Sequence, residues 1–152
     1  MIITRRYKLD LHSEENETGQ SPMAIIRDAA AEEALSIINP KDVLCVTVPV
    51  SEAVSNGLLY GGCDVSATIV RDDAGLTVQI INPDSPNGNG LDCVKEEDKP
   101  GDELRCHGRG LMIAKKLLAR IGGTINLKKE GNNYVTTIKV PAVKKLKPKP
   151  AD

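Results

Sequence analysis

Residues 42–60, DVLCVTVPVSEAVSNGLLY, decide how the chain folds, because they admit two structures. Their first half, VLCVTVPV, is rich in β-branched residues that suit a strand, and Pro49 disfavours a helix interior. On that reading a strand runs to Val48. A helix then starts at Pro49, a comfortable first helical position, and Gly61-Gly62 end it. The alternative is one kinked helix from Asp42 to Tyr60. Local propensity favours the strand, and these residues alone leave the choice open.

The flanking segments read more plainly. Residues 2–11, IITRRYKLDL, alternate apolar and polar as a strand does, and SEENETGQSP follows as a loop. Ser21 offers an N-cap and Pro22 a first-turn proline to a helix over MAIIRDAAAEEALSII. Met23, Ile26, Ala30, Ala34 and Ile37 form its apolar stripe, and Asn39-Pro40 stops it. Beyond the ambiguous stretch, VSATIV at 65–70 and LTVQII at 76–81 are strands joined by RDDAG. NPDSPNGNG then opens a long irregular connection carrying Asp92, Glu96, Glu97, Asp98, Asp102 and Glu103, which reads as a lid or binding loop. A helix resumes in GRGLMIAKKLLARIGG, with Leu111, Ala114, Leu117, Leu118 and Ile121 inward and Gly122-Gly123 closing it. TINLKK and YVTTIKV make a last hairpin around Gly131-Asn132-Asn133.

Composition bounds what such an arrangement can do. The 152 residues fit one domain, expected over 1–143, with a Lys/Pro tail at 144–152. With three Tyr, no Phe and no Trp, the core must be built from Ile, Leu, Val and Ala, which suits helices layered on a sheet. Twenty basic residues against 21 acidic ones argue against a nucleic-acid binder, which needs a basic excess to neutralise phosphates. The local excess of Lys144, Lys145, Lys147 and Lys149 beside Pro148 and Pro150 reads as a solvated tail. No apolar run suits a signal peptide or a membrane span, so a cytoplasmic protein without membrane attachment is expected. Cys45, Cys63, Cys93 and Cys106 lack the close pairing of zinc sites and redox dithiols, and read as free thiols.

Two short patterns carry chemistry. Glu52 and Asn56 stand four apart, which on a helix stacks them on one face. An amide oxygen so placed can enter a Mg²⁺ shell, and a carboxylate can orient or deprotonate a nucleophile. Such pairs also occur on ordinary solvated helix faces. In His107-Gly108-Arg109-Gly110-Leu111, two glycines flank one residue directly before an amphipathic helix. Backbone N–H groups at the positive end of that helix can cradle phosphate, and Arg109 can add a charge-assisted contact. Alone, a G-x-G is equally a tight turn into a helix.

The order of these parts is what resembles a known family. An E-x-x-x-N helix, a strand ending in Asn82, a long connection and a G-x-G at a helix start resemble the N, G1 and G2 boxes of the GHKL ATPase superfamily. That superfamily includes histidine kinases and gyrases. The resemblance covers roughly residues 20–140, and SEAVSNGLLYGG with HGRGLMIAKKLLARIGGTINL is most similar to the anti-sigma-factor serine kinases. It implies an α/β (α+β) two-layer sandwich of Bergerat type, a mixed sheet with about three helices on one face. It also implies a single kinked helix at 42–60. By position, Asn56 would hold Mg²⁺ and Glu52 would be the general base for phosphoryl transfer to a serine hydroxyl. Asn82 would meet the adenine of ATP, and His107, Gly108, Arg109 and Gly110 would line its triphosphate. The implied partners are a sigma factor, an anti-anti-sigma (STAS-type) protein, or both, and a homodimer stays open.

The middle box departs from the pattern. Where the family has D-x-G-x-G, this chain has Asn82-Pro83-Asp84-Ser85-Pro86. Asparagine accepts a hydrogen bond but carries no charge, so it anchors an amino group more weakly. Prolines restrict φ and remove donors where glycines would let the backbone approach a base. Gly88 and Gly90 follow at a different spacing, and an acidic connection is unfavourable beside phosphates. Two functions therefore stand side by side: an ATP- and Mg²⁺-dependent serine kinase, and a degenerate protein-interaction module with weak or no ATP binding. Balanced charge speaks against a third, nucleic-acid binding through the lysine tail.

Overall fold

The computed structural model describes residues 1–10, 21–60, 64–83 and 110–143. Strand β1 (Ile3–Asp10) is followed by helices α1 (Pro22–Ala34) and α2 (Leu44–Tyr60), with a 3-10 turn at Pro40–Asp42 between the helices. The hairpin β2 (Asp64–Arg71) and β3 (Gly75–Pro83) comes next. Helix α3 (Gly110–Arg120) then precedes the hairpin β4 (Thr124–Glu130) and β5 (Asn133–Pro141). The strands form one sheet in the order β1-β2-β3-β5-β4, and the three helices pack on one of its faces.

The two-layer sandwich is the expected architecture, but the sheet is antiparallel at all four pairings rather than mixed. Crossing through α3 brings β4 back in the same direction as β3, which would give a parallel pair if the two were neighbours. Strand β5 turns back at Gly131-Asn132 and inserts between them, so the parallel contact never forms.

Helix wins over strand at 42–60, as the family resemblance implied and against local propensity. Val46, Val50, Ala53 and Val54 fall on one buried stripe at helical spacing, and Pro49 is buried inside the helix rather than at its start. Packing of that stripe between α1, α3 and the sheet outweighs the modest strand preference of its valines. The core is aliphatic throughout, centred on Ile26, Val50, Ile69, Val78, Leu118 and Ile138.

Helix ends follow local chemistry. Ser21 caps α1, its Oγ accepting from the Ala24 N–H at 3.2 Å, but α1 stops at Ala34 instead of running on to Ile38. At the end of α3, Gly122 takes φ +72°, its N–H donates to the Ala119 carbonyl at 3.1 Å, and that of Gly123 donates to Leu118 at 2.7 Å. The Ile121 N–H shares the Leu118 carbonyl at 3.0 Å, and the closure needs the left-handed backbone that glycine supplies.

A buried ion cluster ties α1 to the sheet. Glu33, only 4% exposed, pairs with Arg5 of β1 at 2.6 Å and with Arg71 of β2 at 2.7 Å, while Arg5 also reaches Glu32 at 2.7 Å. The Arg71 hydrogen bond and the charge of Arg5 hold the Glu33 carboxyl below the usual carboxylate range, against the opposing effect of burial. Replacing Glu33 with Ala leaves two arginines without their shared partner and is expected to cost about 3–5 kcal/mol in urea unfolding. Because the folded pKa is depressed, the stabilisation is complete above the ordinary glutamate pKa and is lost as pH falls through the folded value. Glu33→Gln should therefore flatten the stability profile below about pH 4.3 relative to the parent.

Candidate functional site

Of the side chains singled out from sequence, Glu52 and Asn56 lie on α2 and Asn82 near the end of β3, where Gly57 of α2 meets it. One face of α2 buries Val50, Ala53, Val54 and Gly57; the adjoining face carries Ser51, Glu52, Ser55 and Asn56, all half-buried. Glu52 and Asn56 are one helical turn apart, so the i,i+4 stacking expected from spacing is realised. Helix α2 packs along α3, whose first residue is Gly110. His107, Gly108 and Arg109 lie outside the described residues, as does most of the acidic connection.

Gly57 sets the approach of α2 to the sheet. A Cβ at this position would stand 3.0 Å from a Val65 methyl, 3.5 Å from Ile80 and 3.6 Å from Asn82 Oδ1. The helix backbone thus lies directly against β2 and β3, and the Asn82 side chain sits beneath the residue that follows Asn56. Asn82 is 6% exposed. Its Nδ2 donates to the Pro83 carbonyl at 3.4 Å, a long bond, and its Oδ1 is the atom turned toward α2. A neutral carboxamide enters such an environment at lower desolvation cost than the carboxylate of the family pattern.

Asn56 contributes the site's unusual atom. Its Nδ2 is fully enclosed and has no hydrogen-bond partner among the described residues. An unmet buried donor costs about 1–3 kcal/mol, and native proteins hold few of them. Asn56 shares a helix face with Glu52 and directly precedes Gly57, the residue that meets Asn82.

Two residues here escaped the sequence reading. Gly57 carried a signal, since a glycine inside a helix costs about 1 kcal/mol relative to alanine and asks for a packing reason. Thr136 carried none. It is 7% exposed on the helix-facing side of β5, paired with Ile80, yet a threonine in an alternating strand looks like any other. Cys45 is a buried free thiol in α2, and the other three cysteines lie outside the described residues. Among the described residues no helix is long and apolar enough to cross a membrane.

No protein-family model matches the chain, and no curated protein matches it. Among solved structures it is similar to the catalytic domain of the histidine kinase ThkA in a nucleotide-free form. The two share 19% identity over 66% of this chain and 67% of that one, with a TM-score of 0.47. The likeness is one of outline. It lends nothing to the narrower expectation of an anti-sigma-factor kinase, and no functional conclusion rests on it.

Proposed function

We propose that this chain is a nucleotide-binding regulator of GHKL type, which takes ATP with Mg²⁺ at the junction of α2 and β3. The observation that carries the reading is the enclosed Nδ2 of Asn56, without a partner among the described residues, one turn from Glu52 and directly before Gly57, which meets Asn82. The donor set suits the group. The Asn56 amide offers a hard oxygen to the metal and an unmet N–H to a phosphate oxygen. Asn82 offers an acceptor for an exocyclic amino group, and the start of α3 at Gly110 offers its backbone dipole to the phosphates. Bound Mg²⁺ would supply neutralisation of phosphate charge. Within this reading Glu52 accepts the proton of a serine hydroxyl on an anti-anti-sigma partner, and the same domain holds a sigma factor when that partner is unavailable.

One specific observation favours a second reading, in which the fold works by protein contact with little or no nucleotide. Pro83 follows Asn82 directly at the end of β3, where the family pattern has a flexible, donor-bearing backbone.

Calorimetric titration with ATP and Mg²⁺ separates the two. The first reading expects saturable binding that Asn56→Ala weakens by about tenfold or more, equivalent to roughly 1.4 kcal/mol. Glu52→Ala should retain binding and abolish phosphate transfer. No binding at millimolar nucleotide would leave the second reading. Stability gives an independent check on Asn56. Its substitution by Leu, similar in volume, removes the unmet donor and should leave the denaturation midpoint unchanged or raise it. A loss of more than about 2 kcal/mol would instead make Asn56 a structural residue.

A further inference from the structure

The face of the sheet turned away from the helices has a composition unlike the rest of the chain. Strand register aligns its side chains in rows that cross all five strands. The central row reads Arg6, Thr68, Gln79, Thr137, Asn126, polar at every position. The row on one side runs Thr4, Val70, Thr77, Lys139, Thr124, and the row on the other runs Lys8, Ser66, Ile81, Val135, Lys128, so three aliphatic side chains sit among the polar ones. These three rows hold four cations and no carboxylate, in a chain whose formal net charge is −1. Acidic residues return in the next row, at the register positions of Asp10, Asp64 and Glu130, and Glu130 pairs with Lys128 at 2.6 Å. Among the described residues no helix or loop covers the face, and a shallow trough of about 350 Å³ runs across it between Lys139 and Lys128.

Edge protection accounts for part of this charge. Lysine and arginine on β1 and β4 discourage edge-to-edge pairing of sheets. Lys139 is different, because β5 is an interior strand flanked by β3 and β4, and its exposed ammonium guards no edge. A surface of hydroxyls and amides, interrupted by Val70, Ile81 and Val135 and carrying cations on β1, β5 and β4, offers both charge complementarity and hydrogen bonds. We infer that this open sheet face is a docking surface for an acidic protein segment. A nucleic acid fits it less well. Single strands bind sheet faces by stacking bases on aromatic rings, and Tyr7 and Tyr134 lie on the helix-facing side, in register with Ala67 and Asn82.

The test uses the full chain and fluorescein-labelled poly-L-glutamate of about 20 residues, long enough to span five strands at about 4.8 Å spacing. A single-stranded oligonucleotide of equal charge serves as the comparison. Binding to poly-glutamate should weaken with salt, and should fall about tenfold in Lys139→Glu combined with Arg6→Glu. Reversal of the exposed α3 lysines, Lys115→Glu with Lys116→Glu, should change it less than about twofold. Lys139→Gln, which perturbs the sheet least, should give a smaller loss in the same direction and stands in if the double reversal fails to fold. Equal losses from the α3 variant, tighter binding of the oligonucleotide, or no binding at low salt would each overturn the proposal.

Discussion

Helix α2 can lie directly on β2 and β3 because Gly57 has no side chain, and the remaining architecture depends on that approach. The space a Cβ would need is already taken by Val65, Ile80 and Asn82. With the helix this close, its valines reach the core from one side while Leu118 of α3 and Ile26 of α1 close it from the others. The same contact places the half-buried face of α2, with Glu52 and Asn56, at the end of β3. Core packing and site geometry therefore share one constraint, and a wedge at Gly57 would disturb both.

Polar groups are used in two opposed ways around this core. At the α1 edge of the sandwich, Glu33 is enclosed but fully engaged by Arg5 and Arg71, so a buried charge holds a helix to two strands. At the junction of α2 and β3, the enclosed Nδ2 of Asn56 has no partner among the described residues, and that of the buried Asn82 makes one long bond. The first arrangement is what stability demands of a buried carboxylate. The second lowers stability, and that pattern is characteristic of sites kept for a ligand.

The two faces of the sheet are divided just as sharply. Alternation along β3 sends Leu76, Val78 and Ile80 into the helix layer and Thr77 and Gln79 to the other side. Strand register lines up single polar residues scattered in the sequence as one continuous polar row, flanked by rows that also hold Val70, Ile81 and Val135. The charge balance of the whole chain hides this, since the acids that offset these cations lie outside the three rows, Glu130 pairing with Lys128 from the next one.

Much of this protein was legible before folding was considered. Period-two alternation marked β1, strand-forming runs with their turn residues marked the two hairpins, Ser21 and Pro22 marked the start of α1, and Gly122-Gly123 marked the end of α3, because those signals are local in backbone chemistry. Glu52 and Asn56 were legible as a pair because helical spacing fixes their relation once the helix exists. Tertiary structure decided the rest. Residues 44–60 became one helix because burial of Val46, Val50 and Val54 outweighed their strand propensity, a term no local window contains. The sheet became antiparallel throughout because β5 inserted between β3 and β4, a choice of neighbour made across the whole fold. The contact of Gly57 with Asn82, the engagement of Glu33 and the rows on the open face likewise join residues distant in sequence, and only packing brings them together.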